Sequence, residues 1–148
     1  MLFRSREYKS LMAFSDENEI KREIDRFWLE NIGNPNIARE VIQKYYDRVE
    51  QANKLFSNFK EGWKTDQGKL YILFGHPWYV DERIREMSWS YSYTPSDFYT
   101  NFFFYQAKTR SKYFPFDHYL LRRSPDYFSV EYRQRSIWLN GQILTENL

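Results

Sequence analysis

The apolar rhythm of the chain changes once, just after Phe59, and this change constrains the fold more than any other feature of the sequence. Ahead of it, apolar residues recur every three or four positions; beyond it the period shifts towards two. Ile37, Val41, Tyr45, Val49, Ala52 and Phe56 line one face of a predicted helix that Asn34 caps and Pro35 starts. Residues 15 to 32 predict an earlier helix. Ser15 offers the cap, Asp16, Glu17 and Glu19 favour the positive end, and Ile20, Ile24, Phe27 and Trp28 share a face before Gly33 stops it. On the outer face Glu40 precedes Lys44 and Glu50 precedes Lys54 by four positions, pairs that solvate a helix rather than act.

Beyond Phe59 the pattern predicts strands. Residues 69 to 74, Lys-Leu-Tyr-Ile-Leu-Phe, are apolar on both faces after the Lys and suit a central strand that Gly75-His76-Pro77 ends. Residues 85 to 93 alternate, with Met87, Trp89, Tyr91 and Tyr93 on one side and Glu86, Ser88, Ser90 and Ser92 on the other. Residues 99 to 107 form a third strand, and residues 111 to 121 a fourth, which Pro115 places at an edge or bulge. Ser124-Pro125 then repeats the cap and first-turn signature for a final helix ending near Asn140-Gly141. The fold class is α+β: an antiparallel β-meander of about four strands packed with two N-terminal helices and one C-terminal helix.

A length of 148 residues suits one core. Five Trp, thirteen Tyr and thirteen Phe outnumber Leu, Ile and Val together, so that core is aromatic. The absence of Cys excludes disulfide scaffolds, thiol nucleophiles and cysteine-ligated metals. A formal charge of +2 gives no polyanion-binding block. Met1 to Ser10 lacks the apolar run of a signal peptide, and charges interrupt every window long enough to span a membrane.

Between the long helix and the strands stands Glu61-Gly62-Trp63-Lys64-Thr65-Asp66-Gln67-Gly68-Lys69-Leu70-Tyr71-Ile72-Leu73-Phe74-Gly75. By mechanics alone, Gly62 permits a positive φ leaving the helix, Thr65 or Asp66 accepts from amides two or three residues on, and Gly68 turns the chain into a strand. Trp63 would be a buried plug stapling the long helix to the sheet, with about 200 Å² removed from water. The segment resembles the signature of the GWxTD domain family. Phe27-Trp28, Tyr45-Tyr46-Asp47-Arg48-Val49, Ala52-Asn53 and the Gly75-x-Pro77 stop resemble its surrounding pattern, while Gln67 and His76 depart from the basic residue and the proline common there. The resemblance implies a domain of unestablished molecular function at the C-terminal end of an exported or envelope-associated protein of Bacteroidota-like or Acidobacteria-like bacteria. Residues 1–14 are then an extension from the longer parent chain and residues 15–148 the domain.

Candidate chemistry is sparse. His76 and His118 fall in no metal-ligand motif, so no metal is expected, and no glycine-rich loop calls for a nucleotide or other cofactor. His76 near Asp81 and Glu82 could make an acid–base pair, but a histidine before proline is more often a turn residue. Lys108, Arg110, Lys112, Arg122 and Arg123, interleaved with Tyr113, Phe114, Phe116 and Tyr119, fit base stacking, yet the net charge makes nucleic acid an unlikely partner. The leading expectation is a non-catalytic interaction module, docking to other domains of its parent chain or to envelope proteins. Its alternative is a glycan- or peptide-binding groove beside the GWKTD loop, with Trp63, Thr65, Asp66, His76, Trp89, Tyr91 and Tyr93 as candidate binding residues. Gly62, Trp63, Lys64, Thr65, Asp66, Gly68 and Gly75 are the structural motif. Whether Trp89, Tyr91 and Tyr93 form an open row, or pack beneath the long helix, decides between the two.

Overall fold

The computed structural model describes residues 5–94, 96–97, 99–107 and 117–146. These fall into two compact units, one within Met1–Lys44 and Arg135–Asn147, the other within Tyr45–Gln134.

The first unit is helical: α1 (Ser5–Met12), α2 (Glu17–Ile32), the first part of α3 (Pro35–Phe56), the last turn of α5 (Pro125–Leu139) and a 3-10 turn, Gln142–Leu144. α1 lies within the stretch read as an extension. At the start of α2 the cap is Asp16 rather than Ser15, its carboxylate accepting from the Asn18 amide at 3.0 Å. Gly33, at φ +77°, ends it by donating to Leu29 O. Asn34 Oδ1 accepts from the Asn36 amide at 2.9 Å, the cap its sequence promised for α3. Gly141, also at positive φ, turns so close to Ile37 that a Cβ there would lie 2.8 Å from Ile37 Cγ2. Trp28, Ala38, Val41, Trp138 and Ile143 are buried in this unit.

In the second unit four antiparallel strands, β1 (Tyr79–Glu82), β2 (Glu86–Ser90), β3 (Asn101–Gln106) and β4 (Tyr119–Leu121), follow one another in the order β1-β2-β3-β4. The α+β meander is therefore as the sequence indicates, but it is built from partly different segments. Residues 69–74 are not a strand: they belong to α4 (Asp66–Phe74), in which Leu70 to Phe74 are all buried. A short apolar run reads the same whether it is a central strand or a helix surrounded by core, and here the cap at Thr65 decides for the helix. The fourth strand is β1, which carries exposed side chains and no apolar alternation. Of the segment 111–121, β4 is described; residues 108–116, with Pro115 and most of the basic and aromatic cluster, lie outside the described residues.

One sheet face is lined by rings. Trp89 pairs with Phe102 and Phe104 with Leu121 across the strands, and Trp89 stands 5.0 Å from Phe104 and 5.4 Å from Phe56 of α3. Phe74 of α4 lies 4.8 Å from Phe102. Such tilted and edge-on pairs add to plain burial. The opposite face carries Ser88, Phe103 and Tyr105, with Phe103 half exposed. α5 starts at Pro125 as expected; Tyr127, Val130 and Gln134 are buried, while Phe128 and Tyr132, four apart, are exposed.

Candidate functional site

The GWKTD segment is a knot of backbone and short polar groups between α3 and α4. Ser57 Oγ donates to Asn53 O at 2.6 Å and accepts from the Gly62 amide at 2.9 Å, and Asn53 Oδ1 accepts from the Trp63 amide at 3.0 Å. The end of α3 thus supplies the acceptors for the next turn, Gly62–Lys64. Thr65 Oγ1 donates to Gly62 O at 2.6 Å and accepts from the Gly68 amide at 2.9 Å, capping α4; such a cap contributes about 1 kcal/mol. Asp66, in the first turn of α4, accepts from the Leu121 amide of β4 at 2.9 Å through one oxygen and from Arg123 Nη2 at 3.1 Å through the other. The segment therefore joins the long helix to the sheet, with Asp66 making the second attachment.

Of the motif glycines, Gly62 and Gly68 are there for contact rather than for a special φ. Positive φ occurs at Gly33, Gly75 and Gly141 among the described residues, so Gly62 does not turn the chain as its position after a helix suggests. A Cβ on Gly62 would lie 2.0 Å from Ala52 O, and one on Gly68 would lie 1.8 Å from Gly62 O. Gly68 sits inside α4 rather than at the start of a strand.

Trp63 differs from the expected plug. It is half-buried, its Nε1 donates to the exposed Glu61 carboxylate at 3.1 Å, and Lys64 Nζ lies 5.0 Å from its ring centroid. The Lys64 ammonium, 2.7 Å from Glu61, hydrogen-bonds that carboxyl and holds it below the usual carboxylate range. Trp63→Ala should accordingly cost about 1 kcal/mol, a fall of a few degrees in a thermal melt. A loss of about 4 kcal/mol would return the indole to the role of plug.

At the other end of α4 stands a group of residues that periodicity does not single out. Arg48, buried, donates from Nη1 to Ile72 O at 2.9 Å and Leu73 O at 3.3 Å, serving last-turn carbonyls where the helix dipole is negative. Gln134 Nε2 donates to Leu73 O at 3.0 Å, and the Tyr91 hydroxyl to Gly75 O at 2.8 Å. Burial pushes the Tyr91 hydroxyl far above the usual tyrosine range despite the nearby Arg48 cation. The one sequence signal for Arg48 is its place in Tyr45-Tyr46-Asp47-Arg48-Val49; Gln134 had none.

The other candidate residues are dispersed. Trp89 and Tyr91 are each 3% exposed, whereas Tyr93 is 92% exposed beside Trp78, ring centroids 5.2 Å apart, so the predicted row is split between core and rim. His76 is exposed and meets the Tyr71 ring edge-on at 5.7 Å. His118 lies against Phe59, its Nδ1 3.2 Å from the side-chain Nδ2 of Asn58, and burial lowers its pKa. Among the described residues no three His, Asp or Glu side chains converge in a way that could hold a metal, and no helix is long and apolar enough to cross a membrane.

A shallow cleft of about 130 Å³ opens on the outer sheet face. Phe103 and Ser88 form its floor, and the ion pairs Arg83–Asp81 at 3.1 Å and Arg122–Glu86 at 2.8 Å rim it. No spacing in the sequence connects these residues; the register Asp81↔Ser88↔Phe103 brings them together.

An α+β domain pinned by a Gly-Trp-Lys-Thr-Asp corner is what these elements define. The chain belongs to the GWxTD domain family, whose sequence profile matches residues 1–140. No curated protein and no solved structure matches it.

Proposed function

We propose that this chain is a non-catalytic interaction module of a larger bacterial envelope protein, docking to other domains of its parent chain or to neighbouring envelope proteins. The observation that carries the reading is the internal use of Gly62, Thr65, Asp66 and Gly68 within the signature. Thr65 spends its hydroxyl on Gly62 and Gly68, Asp66 spends both oxygens on Leu121 and Arg123, and both glycines are in backbone contact. A motif used in this way maintains a shape. The shape presents apolar groups outward: the exposed Trp78 and Tyr93 rings lie 5.2 Å apart, and Tyr79, Val80 and Ile84 of the same hairpin are exposed as well. Exposed apolar groups gathered in this way mark contact surfaces.

The test compares the parent protein, purified from its native envelope after cross-linking, with its Trp78→Ser/Tyr93→Ser variant. Unchanged melting with loss of the cross-linked neighbours is expected. Neighbours retained in full, or a turnover that His76→Ala abolishes in a folded protein, would sink the reading.

A second reading, a small glycan on the outer face, is favoured by the half-exposed Phe103 ring between two fixed acid–arginine pairs. It predicts that Phe103→Ala, rather than any change in the hairpin, removes glycan binding.

A further inference from the structure

The two edges of the sheet are treated differently. At β4 the outward amide of Leu121 is closed by Asp66 Oδ2. At β1 nothing equivalent is found among the described residues. The bond from the Arg83 amide to Glu86 O fixes the alternation of the β1–β2 ladder, in which Tyr79 and Asp81 bond inward to Ser90 and Ser88. The N–H and C=O groups of Val80 and Glu82 therefore point away from the sheet, and neither residue finds a partner there among the described residues.

Protein edges are ordinarily blunted by a lysine, a proline or a bulge within the strand. Tyr79–Glu82 contains neither lysine nor proline and pairs in unbroken register with Ser90–Met87. Alternation puts Val80 and Glu82 on one side of the edge; Trp78, whose amide donates inward at 2.9 Å to the same Ser90 that opposes Tyr79, forms a bulge ahead of them, and its ring lies against Tyr93. Glu82 is exposed and makes no ion pair among the described residues, in contrast to Asp81, which Arg83 engages.

We infer that the open β1 edge accepts an extended segment of a partner protein as a fifth, antiparallel strand, with a Lys or Arg opposite Glu82 and an apolar side chain opposite Val80. The inference rests on the interaction-module reading and names the partner's chemistry: basic–x–apolar in an extended chain. Backbone groups give the attraction, and the alternate side chains give the choice. Charge complementarity argues against a second copy of this chain in the same place. A two-fold antiparallel pair opposes residues separated by an even number of positions, so Glu82 would meet Val80, Glu82, Ile84 or Glu86 of the other copy, and never Arg83 or Arg85.

The probe is the blocked peptide acetyl-Ser-Lys-Thr-Val-Thr-Trp-Ser-amide, added to the isotope-labelled whole chain while amide exchange is followed by NMR. Slowed exchange at Val80 and Glu82 is expected, with binding lost in Val80→Pro, whose ring occupies an outward position that the ladder does not use. Replacing the peptide lysine by glutamate should weaken binding about fivefold, and Glu82→Lys should restore it. That charge exchange keeps the proposal open to refutation even where Val80→Pro disturbs the fold.

Indifference to the charge exchange, or no binding, overturns the inference. So does protection of Val80 and Glu82 that is already present without peptide and rises with protein concentration, the mark of a second copy. Peptide binding that perturbs Phe103 and Tyr105 but spares the Val80 amide also overturns it, while leaving the interaction-module reading intact. Failure of that broader reading is seen separately, in the envelope cross-linking of the Trp78→Ser/Tyr93→Ser variant.

Discussion

Gly68→Ala is expected to destabilise the protein by about 3 kcal/mol, lowering the melting temperature by roughly 6–12 °C for a chain of this size. The new Cβ would lie 1.8 Å from Gly62 O, and Gly62 is itself pressed against Ala52 O, so neither backbone can retreat without parting α3 from α4. Gly33→Ala is the control: its Cβ meets nothing within 4 Å, and the positive φ alone costs about 1–2 kcal/mol. Because Gly62 and Gly68 act on the same contact, the double alanine variant should cost less than the sum of the two single ones. Thermal melts followed by circular dichroism measure all four. A Gly68→Ala protein no less stable than Gly33→Ala would remove the close-packed corner as the reason for the motif.

Arg48→Met should cost about 3 kcal/mol, read as a lower denaturant midpoint at unchanged slope. Methionine fills much of the same space but leaves the carbonyls of Ile72 and Leu73 short of a donor in a buried site. Arg48→Lys should recover only part of the loss, since a single ammonium on a flexible stem does not reproduce the planar fork. Gln134→Leu, which removes the other side-chain donor to Leu73 O, should cost about 1 kcal/mol. Full stability of Arg48→Met would mean that α4 holds its C-terminal end by packing alone.

These two positions show where reading the sequence stops. The long helix was legible because its apolar residues sit on one stripe and Asn34-Pro35 starts it; α5 was legible from Ser124-Pro125 for the same reason. The segment 69–74 was not, since a helix with core on every side has no stripe to reveal its period, and its hydrophobicity is equally that of a central strand. β1 was invisible for the opposite reason: an edge strand with exposed side chains has no alternation to read. Within the signature, Thr65 as a cap was readable from local chemistry, whereas Gly62 and Gly68 were assigned turns when their purpose is contact. A large indole at position 63 predicts a plug, but a neighbouring Glu61–Lys64 pair lets it lie half outside.

The sequence by itself determined the α+β class, the three helix starts at residues 15–17, 34–35 and 124–125, and family membership, because all of these depend on residues within a few positions of one another. Tertiary structure alone decided which apolar run became the buried helix and which glycines touch. It also decided that Arg48 and Gln134 would meet the end of α4 and that, among the described residues, nothing pairs with the outer edge of β1. Those outcomes depend on atoms brought together from distant parts of the chain, and a hydrogen bond or a 2 Å clash leaves no periodic trace in the order of residues.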